Sequence, residues 1–301
     1  MAKAQAGVVE GEVTPIVRRF NVGILVLMAV AVLVGLWRGW TSPLGGEAAW
    51  AHGLMATEVL FAAALILLGS LVEGFGFGLS LGTQWPYTRN IFVLMVRGDP
   101  EAAHRLVATA VGLMAVLLVV LAPGTTTAVG LGLIVVTALF GMGTLYVLAG
   151  RAPAFVHGTH GLLAYGVFLT YLVALAAPGL PIWLYLKDTI ALHAILFAVF
   201  MGGMVTGQRG FGRPIGAFYG PQKAPQWVFV VHAFAALLVI GTLGWLMPAY
   251  PVAFWLVLGQ AAVGFFLFQA VNLKPKTPGG VVAFHQTVSL LMTTAVVFQW
   301  R

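Results

Sequence analysis

Residues 101–122 read Glu-Ala-Ala-His-Arg-Leu-Val-Ala-Thr-Ala-Val-Gly-Leu-Met-Ala-Val-Leu-Leu-Val-Val-Leu-Ala. A short polar entry, Glu101 to Arg105, leads into an apolar run with no further charge. A helix of about 18–20 such residues crosses a hydrocarbon core of roughly 30 Å. Eight more stretches of this kind follow the same logic, so nine spans are expected over 20–37, 51–72, 104–122, 127–149, 155–177, 183–206, 227–246, 251–271 and 282–300. Only a helix satisfies its own backbone at membrane depth without closing a barrel, so the fold class is all-α integral membrane protein.

Composition agrees. Hydrophobic residues make up 60% of the 301 and charged residues 8%, which leaves no stretch polar enough for a separate soluble domain. The net charge of +7 sits in short loops and tails and not along one face, so it reads as membrane-flanking charge and nucleic acid is excluded as a partner. There is no cysteine, which rules out disulfides, thiolate metal sites, iron–sulfur clusters and covalent c-type haem attachment.

Working outward from His104, three further histidines stand near the start of apolar runs: His160, His232 and His285. The first two are 56 residues apart and the last two 53. Imidazole is scarce and costly at membrane depth and is usually kept there for a task. The two connections that precede these pairs are also alike: Val72-Glu73-Gly74-Phe75-Gly76-Phe77-Gly78 and Val205-Thr206-Gly207-Gln208-Arg209-Gly210-Phe211-Gly212. An internal duplication of a four-helix unit explains both regularities. The expected organisation is residues 1–50 as tail and extra helix, 51–180 as a first four-helix bundle and 181–301 as a second.

Each bundle then carries two histidines on parallel helices, entering from one side. That is the ligand set a six-coordinate haem iron needs. His157 lies one turn from His160 and is an alternative ligand or a neighbour of haem propionates. His52 and His193 lie near opposite helix ends and read as interfacial. Glu58, the one carboxylate well inside a span, is either a neutral hydrogen-bonded group or part of a proton or quinol path. Glu101 precedes His104 by one turn, so its carboxylate can face whatever His104 binds. Arg89, Arg97 and Arg105 suit propionates through bidentate pairing, or else anchor the interface.

Several of these residues resemble the haem A synthase family. Gly69-Ser70-Leu71-Val72, Gly78-Leu79-Ser80, Gly82-Thr83-Gln84-Trp85-Pro86 and Glu101-Ala102-Ala103-His104-Arg105 follow one another as the glycine-rich turn, Trp-Pro motif and Glu-x-x-His-Arg of that family do. Gln226-Trp227-Val228-Phe229-Val230-Val231-His232 and Phe284-His285-Gln286 are similar to its sixth and eighth helices. The resemblance covers residues 51–301. It implies two four-helix bundles in the plasma membrane. In the first, haem O is substrate between His104 and His160, with Glu101 as the catalytic carboxylate, Trp85 beside the site and haem A as product. In the second, haem b is held by His232 and His285. The implied reaction is oxidation of the haem O C8 methyl to a formyl group. A lipid bilayer, an electron donor, and a haem O-producing farnesyltransferase or a terminal oxidase are the partners it implies.

The chain departs from the family in lacking loop cysteines, in Ala233 where arginine is usual, in the missing second Trp-Pro and in the additional segment 20–37. The alternative function is a non-catalytic di-haem b-type cytochrome subunit carrying electrons between quinol and a respiratory complex. Lys3, Arg18 and Arg19, and the positive charge of every second loop, put the histidine-bearing ends in the cytoplasm by the positive-inside rule, whereas those ends face outward in the family. Inversion by the extra helix, arginines reserved for propionates, or a segment 20–37 that does not cross would each account for this.

Overall fold

The computed structural model describes residues 12–42 and 45–299. Lys3 and residue 300, the end of the ninth expected span, lie outside them. Among the described residues there are eleven helices and no strands: α1 Pro15–Thr41, α2 Gly46–Gly74, α3 Ile91–Arg97, α4 Pro100–Leu121, α5 Thr125–Leu148, α6 Phe155–Ala176, α7 Ile182–Asp188, α8 Ile190–Arg209, α9 Ala224–Trp245, α10 Pro251–Leu273 and α11 Val281–Gln299. Nine of them, all but α3 and α7, are long and apolar enough to cross a membrane. The protein is a multi-pass membrane protein.

Local chemistry sets the helix ends. Thr14 caps α1 by accepting from the Val17 N–H, and Pro15 occupies the first helical position, where its missing N–H costs nothing. The result is a 27-residue helix, longer than the expected 20–37 and about 40 Å at 1.5 Å per residue. Asp99 caps α4 by accepting from the N–H groups of Glu101 (2.8 Å) and Ala102 (3.0 Å), with Pro100 next. The helix therefore starts before Glu101 and carries it and His104 in its first two turns. Gly98, at φ 103°, closes the short helix α3, which lies inside what hydropathy reads as a plain connection. The sixth expected span, 183–206, is in fact two helices. The backbone turns extended at Thr189 (φ −121°, ψ 80°) and the chain restarts as α8, which alone is long enough to span.

Helices α2, α4, α5 and α6 contact one another in a closed ring, and α8, α9, α10 and α11 form the second ring, in which α8 and α11 meet only thinly. The halves join through α6 against α8 and α2 against α11. Leu169, Leu172, Leu192, Ile195 and Val296 fill that seam, and Tyr165 Oη reaches Gln286 Oε1 (2.9 Å) and Ser289 Oγ (2.8 Å) across it.

Lipid is as apolar as leucine, so helices gain little from hydrophobic contact alone and associate where small residues let backbones approach. Gly203 and Gly207 of α8 lie directly on Gly158 and Ala154 of α6, where any Cβ would strike backbone at about 3 Å. The additional helix α1 docks on α2 in the same way, with Gly35 and Gly39 against Gly53 and Thr57. Thr57 Oγ1 donates to Ala31 O across that contact at 3.2 Å. Large apolar side chains such as Leu33, Leu113, Phe234 and Phe266 point outward, as a bilayer requires.

Candidate functional site

Three of the four histidines sit in one recurring seat. His104 Nδ1 is 3.1 Å from Leu65 O, His160 Nδ1 is 3.0 Å from Thr137 O, and His232 Nδ1 is 3.1 Å from Ala198 O. A carbonyl can only accept, so in each case Nδ1 carries the proton and Nε2 keeps a free lone pair. Four residues beyond each carbonyl, one helical turn on, stands a glycine: Gly69, Gly141 and Gly202. A Cβ at these positions would meet the imidazole Cε1 at 3.3, 3.1 and 3.3 Å. The glycine lets the ring lie flat on the neighbouring helix, and the carbonyl fixes its tautomer and direction. Such an arrangement orients histidines that ligate metals.

His285 has the glycine but not the bond. A Cβ at Gly264 would meet its Cε1 at 3.3 Å, yet its buried Nδ1 has no partner, and the Gln260 side-chain amide nitrogen sits 3.1 Å from its Nε2. Gln260 stands four residues before Gly264, the position that supplies the carbonyl in the other three seats.

His104 and His160 lie near enough to interact electrostatically, as do His232 and His285. All four are half-buried. His157 occupies no such seat. Its Nδ1 is buried without a partner and its ring meets Phe211 edge-on at 5.8 Å.

Glu101 is placed differently from expectation. Its carboxylate does not turn to the ligand face of His104 but is occupied by the preceding loop. Oε2 accepts from Ser80 Oγ (2.8 Å) and the Leu81 N–H (3.0 Å), and Oε1 takes the Arg105 guanidinium at 2.5 Å. Arg105 in turn donates to the carbonyls of Gln84 and Pro86. Both side chains are buried. The expectation of Arg105 as a propionate partner is thereby corrected: its guanidinium is spent on the Gly82–Pro86 turn and on Glu101, since four-residue spacing aligns the two on the helix better than the three-residue step to His104 does. Arg89 lines an open depression of about 450 Å³ with Ser80, Gln84 and Asn90. Arg97 and Trp85 are exposed at the same membrane face.

Two polar groups lie deeper. Glu58 is completely buried with neither oxygen paired, and the Tyr171 hydroxyl is likewise buried and unpaired. Between the bundles, Arg209, 1% exposed, meets Glu73 Oε1 at 3.2 Å and donates to Arg213 O and Pro275 O, while Thr206 Oγ1 donates to the same Glu73 oxygen. Glu73 and Arg209 lie in the two similar connections, and this cross-link was not legible there. His52 is half-buried and His193 exposed, both far from the seats along their helices.

Among the described residues no three His, Cys, Asp or Glu side chains converge on one point, so a bare metal ion lacks a ligand set. A macrocycle that brings its own four nitrogens needs only the two axial imidazoles that each ring offers. The donor chemistry therefore fits haem: paired neutral histidines, three of them oriented with Nε2 free, on glycine-smoothed walls. Comparison of the chain with known family models, with curated proteins and with solved structures yields no match.

Proposed function

We propose that the protein binds haem through His104 and His160 in the first bundle and through His232, with His285 opposite, in the second. We further propose that it acts on haem O in the plasma membrane, as a haem A synthase-like oxidoreductase with haem b as its resident cofactor. The observation that carries the haem reading is the recurring seat, in which a backbone carbonyl takes Nδ1–H and a glycine one turn on admits the ring. Three such seats, and a fourth with the glycine alone, are hard to explain as packing, because a glycine within a helix and an imidazole at membrane depth each cost stability unless used. Haem supplies iron redox chemistry when bound. The chain's own residues orient the imidazoles and, through Glu101 and Arg105, hold the Ser80–Pro86 loop against the start of α4.

The resemblance of residues 69–105 supports haem O as substrate and its C8 methyl as the carbon oxidised to a formyl group. Glu101 acts here as a positioning residue: it fixes the Ser80–Leu81 stretch and the Arg105 guanidinium one turn from His104. Purified protein extracted for haem and analysed by mass is expected to yield haem b together with haem O or haem A. Haem b alone, rapidly reduced by quinol, would contradict the synthase reading.

One observation favours a second reading. A carboxylate bound by three donors is poorly free to assist chemistry at a substrate, which suits a di-haem b-type cytochrome subunit that only passes electrons.

A further inference from the structure

The fourth seat differs from the other three in a way that changes what a haem in the second bundle could do. In three seats the residue giving the carbonyl has no polar group to set against the imidazole. Leu65 and Ala198 are apolar, and the Thr137 hydroxyl donates to Leu133 O instead, at 2.6 Å. In the fourth, the Gln260 side chain lies on Nε2 of His285 at 3.1 Å. That is the nitrogen an iron would use. Either orientation of the amide leaves Nε2 engaged, as acceptor from the amide N–H or as donor to the amide oxygen.

Releasing Gln260 would not restore the common seat. His285 Nδ1 has no acceptor, so a freed ring could turn its Nε2 toward an iron but without the bond that fixes the other three, and the Gln260 oxygen is already buried without a partner. His232, facing it, has the complete seat: Ala198 O at 3.1 Å and Gly202 against its ring. The surrounding ring of helices is also the looser of the two, with α8 barely touching α11.

Resting on the haem-binding reading above, we propose that Gln260 holds His285 off the iron. A haem in the second bundle would then be held by His232, and Gln260 and His285 would stand beside it as a hydrogen-bonding pair able to meet a small neutral diatomic ligand such as O2 or CO. A polar pair of hydrogen-bonding groups beside an open position is the arrangement that governs ligand binding in haem pockets. The second bundle is on this account the ligand-reactive site and the first the six-coordinate one.

The test uses the full-length protein loaded with haem b and CO as the probe, read by electron paramagnetic resonance of the ferric form and by CO-difference spectra of the reduced form. The expected result is one low-spin and one high-spin haem, with only the latter binding CO. His232→Ala abolishes CO binding, while His160→Ala leaves the CO-binding haem in place. His285→Ala keeps it too, whereas Gln260→Leu lowers CO affinity at least tenfold as His285 gains the position. Two low-spin haems that bind CO only after His285→Ala would overturn the proposal, because they would make His285 a true ligand. CO binding lost in His160→Ala and kept in His232→Ala would overturn it as well. Protein that retains no haem at all would overturn the haem reading itself, an outcome distinct from both.

Discussion

In the first bundle both histidines donate Nδ1–H to a carbonyl one turn before a glycine, and the four helices close into a full ring. In the second only His232 does so, the ring is thin between α8 and α11, and Gln260 occupies the working nitrogen of His285. A buried ion pair, Glu101 with Arg105, pins a loop over the first bundle. No ion pair among the described residues does this for the second, where Ala233 stands at the position matching Arg105. Duplicated halves that keep helix order but differ in one side chain per site teach that the scaffold and the coordination chemistry are separable. The scaffold is set by small residues and helix caps, and the chemistry by what lies against each Nε2.

The largest effect should come from filling a seat. Gly141→Leu puts a side chain where His160 lies, and haem affinity in the first bundle is expected to fall about 10–100-fold, as when a metal ligand loses its orienting neighbours. Gly132→Leu, on the same helix but with nothing near it, should leave affinity unchanged. Haem titration of both variants checks this, and equal loss in both would break the seat argument.

Next is the buried ion pair that holds the first bundle's loop. Glu101→Ala strands a buried guanidinium and should cost about 3–5 kcal/mol, read as a lowered thermal midpoint in detergent. The paired change Glu101→Leu with Arg105→Met should recover most of it. No recovery would mean that the pair is more than structural.

A smaller effect belongs to α1, which touches the first bundle through α2. Gly53→Leu drives a side chain into the Gly35 and Gly39 backbone and should cost about 1–3 kcal/mol by overpacking, with the haem spectrum unchanged. Altered haem ligation in this variant would show that α1 shapes the site. Least of all, His157→Ala should leave both axial ligand sets as they were, by magnetic circular dichroism in the near infrared. A loss of the first low-spin signal would transfer the ligand role from His160 to His157.

Hydropathy made the membrane helices legible, because runs of about 20 apolar residues have few alternatives. It missed the break at Thr189, although Lys187 and Asp188 interrupt the apolar run just before it, because a single charged pair near a span end also fits an interfacial helix end. The paired histidines and the duplication were visible as spacing. The seats were not. The separation between each histidine and its carbonyl residue is 39, 23, 34 and 25, varying with loop length, so Gly69, Gly141, Gly202 and Gly264 form no fixed motif. Gln260 likewise reads as one polar residue in an apolar run until folding sets it against His285. For Glu101 the spacing offered two neighbours, His104 and Arg105, and the charge of Arg105 decided between them.

The most direct test of the account is the haem-to-protein ratio of the purified full-length chain and of its His160→Ala variant, by pyridine haemochrome absorbance. The prediction is two haems per chain in the parent and one in the variant, the survivor being the haem on His232. A ratio near zero in the parent, or a ratio that the substitution leaves untouched, would contradict it.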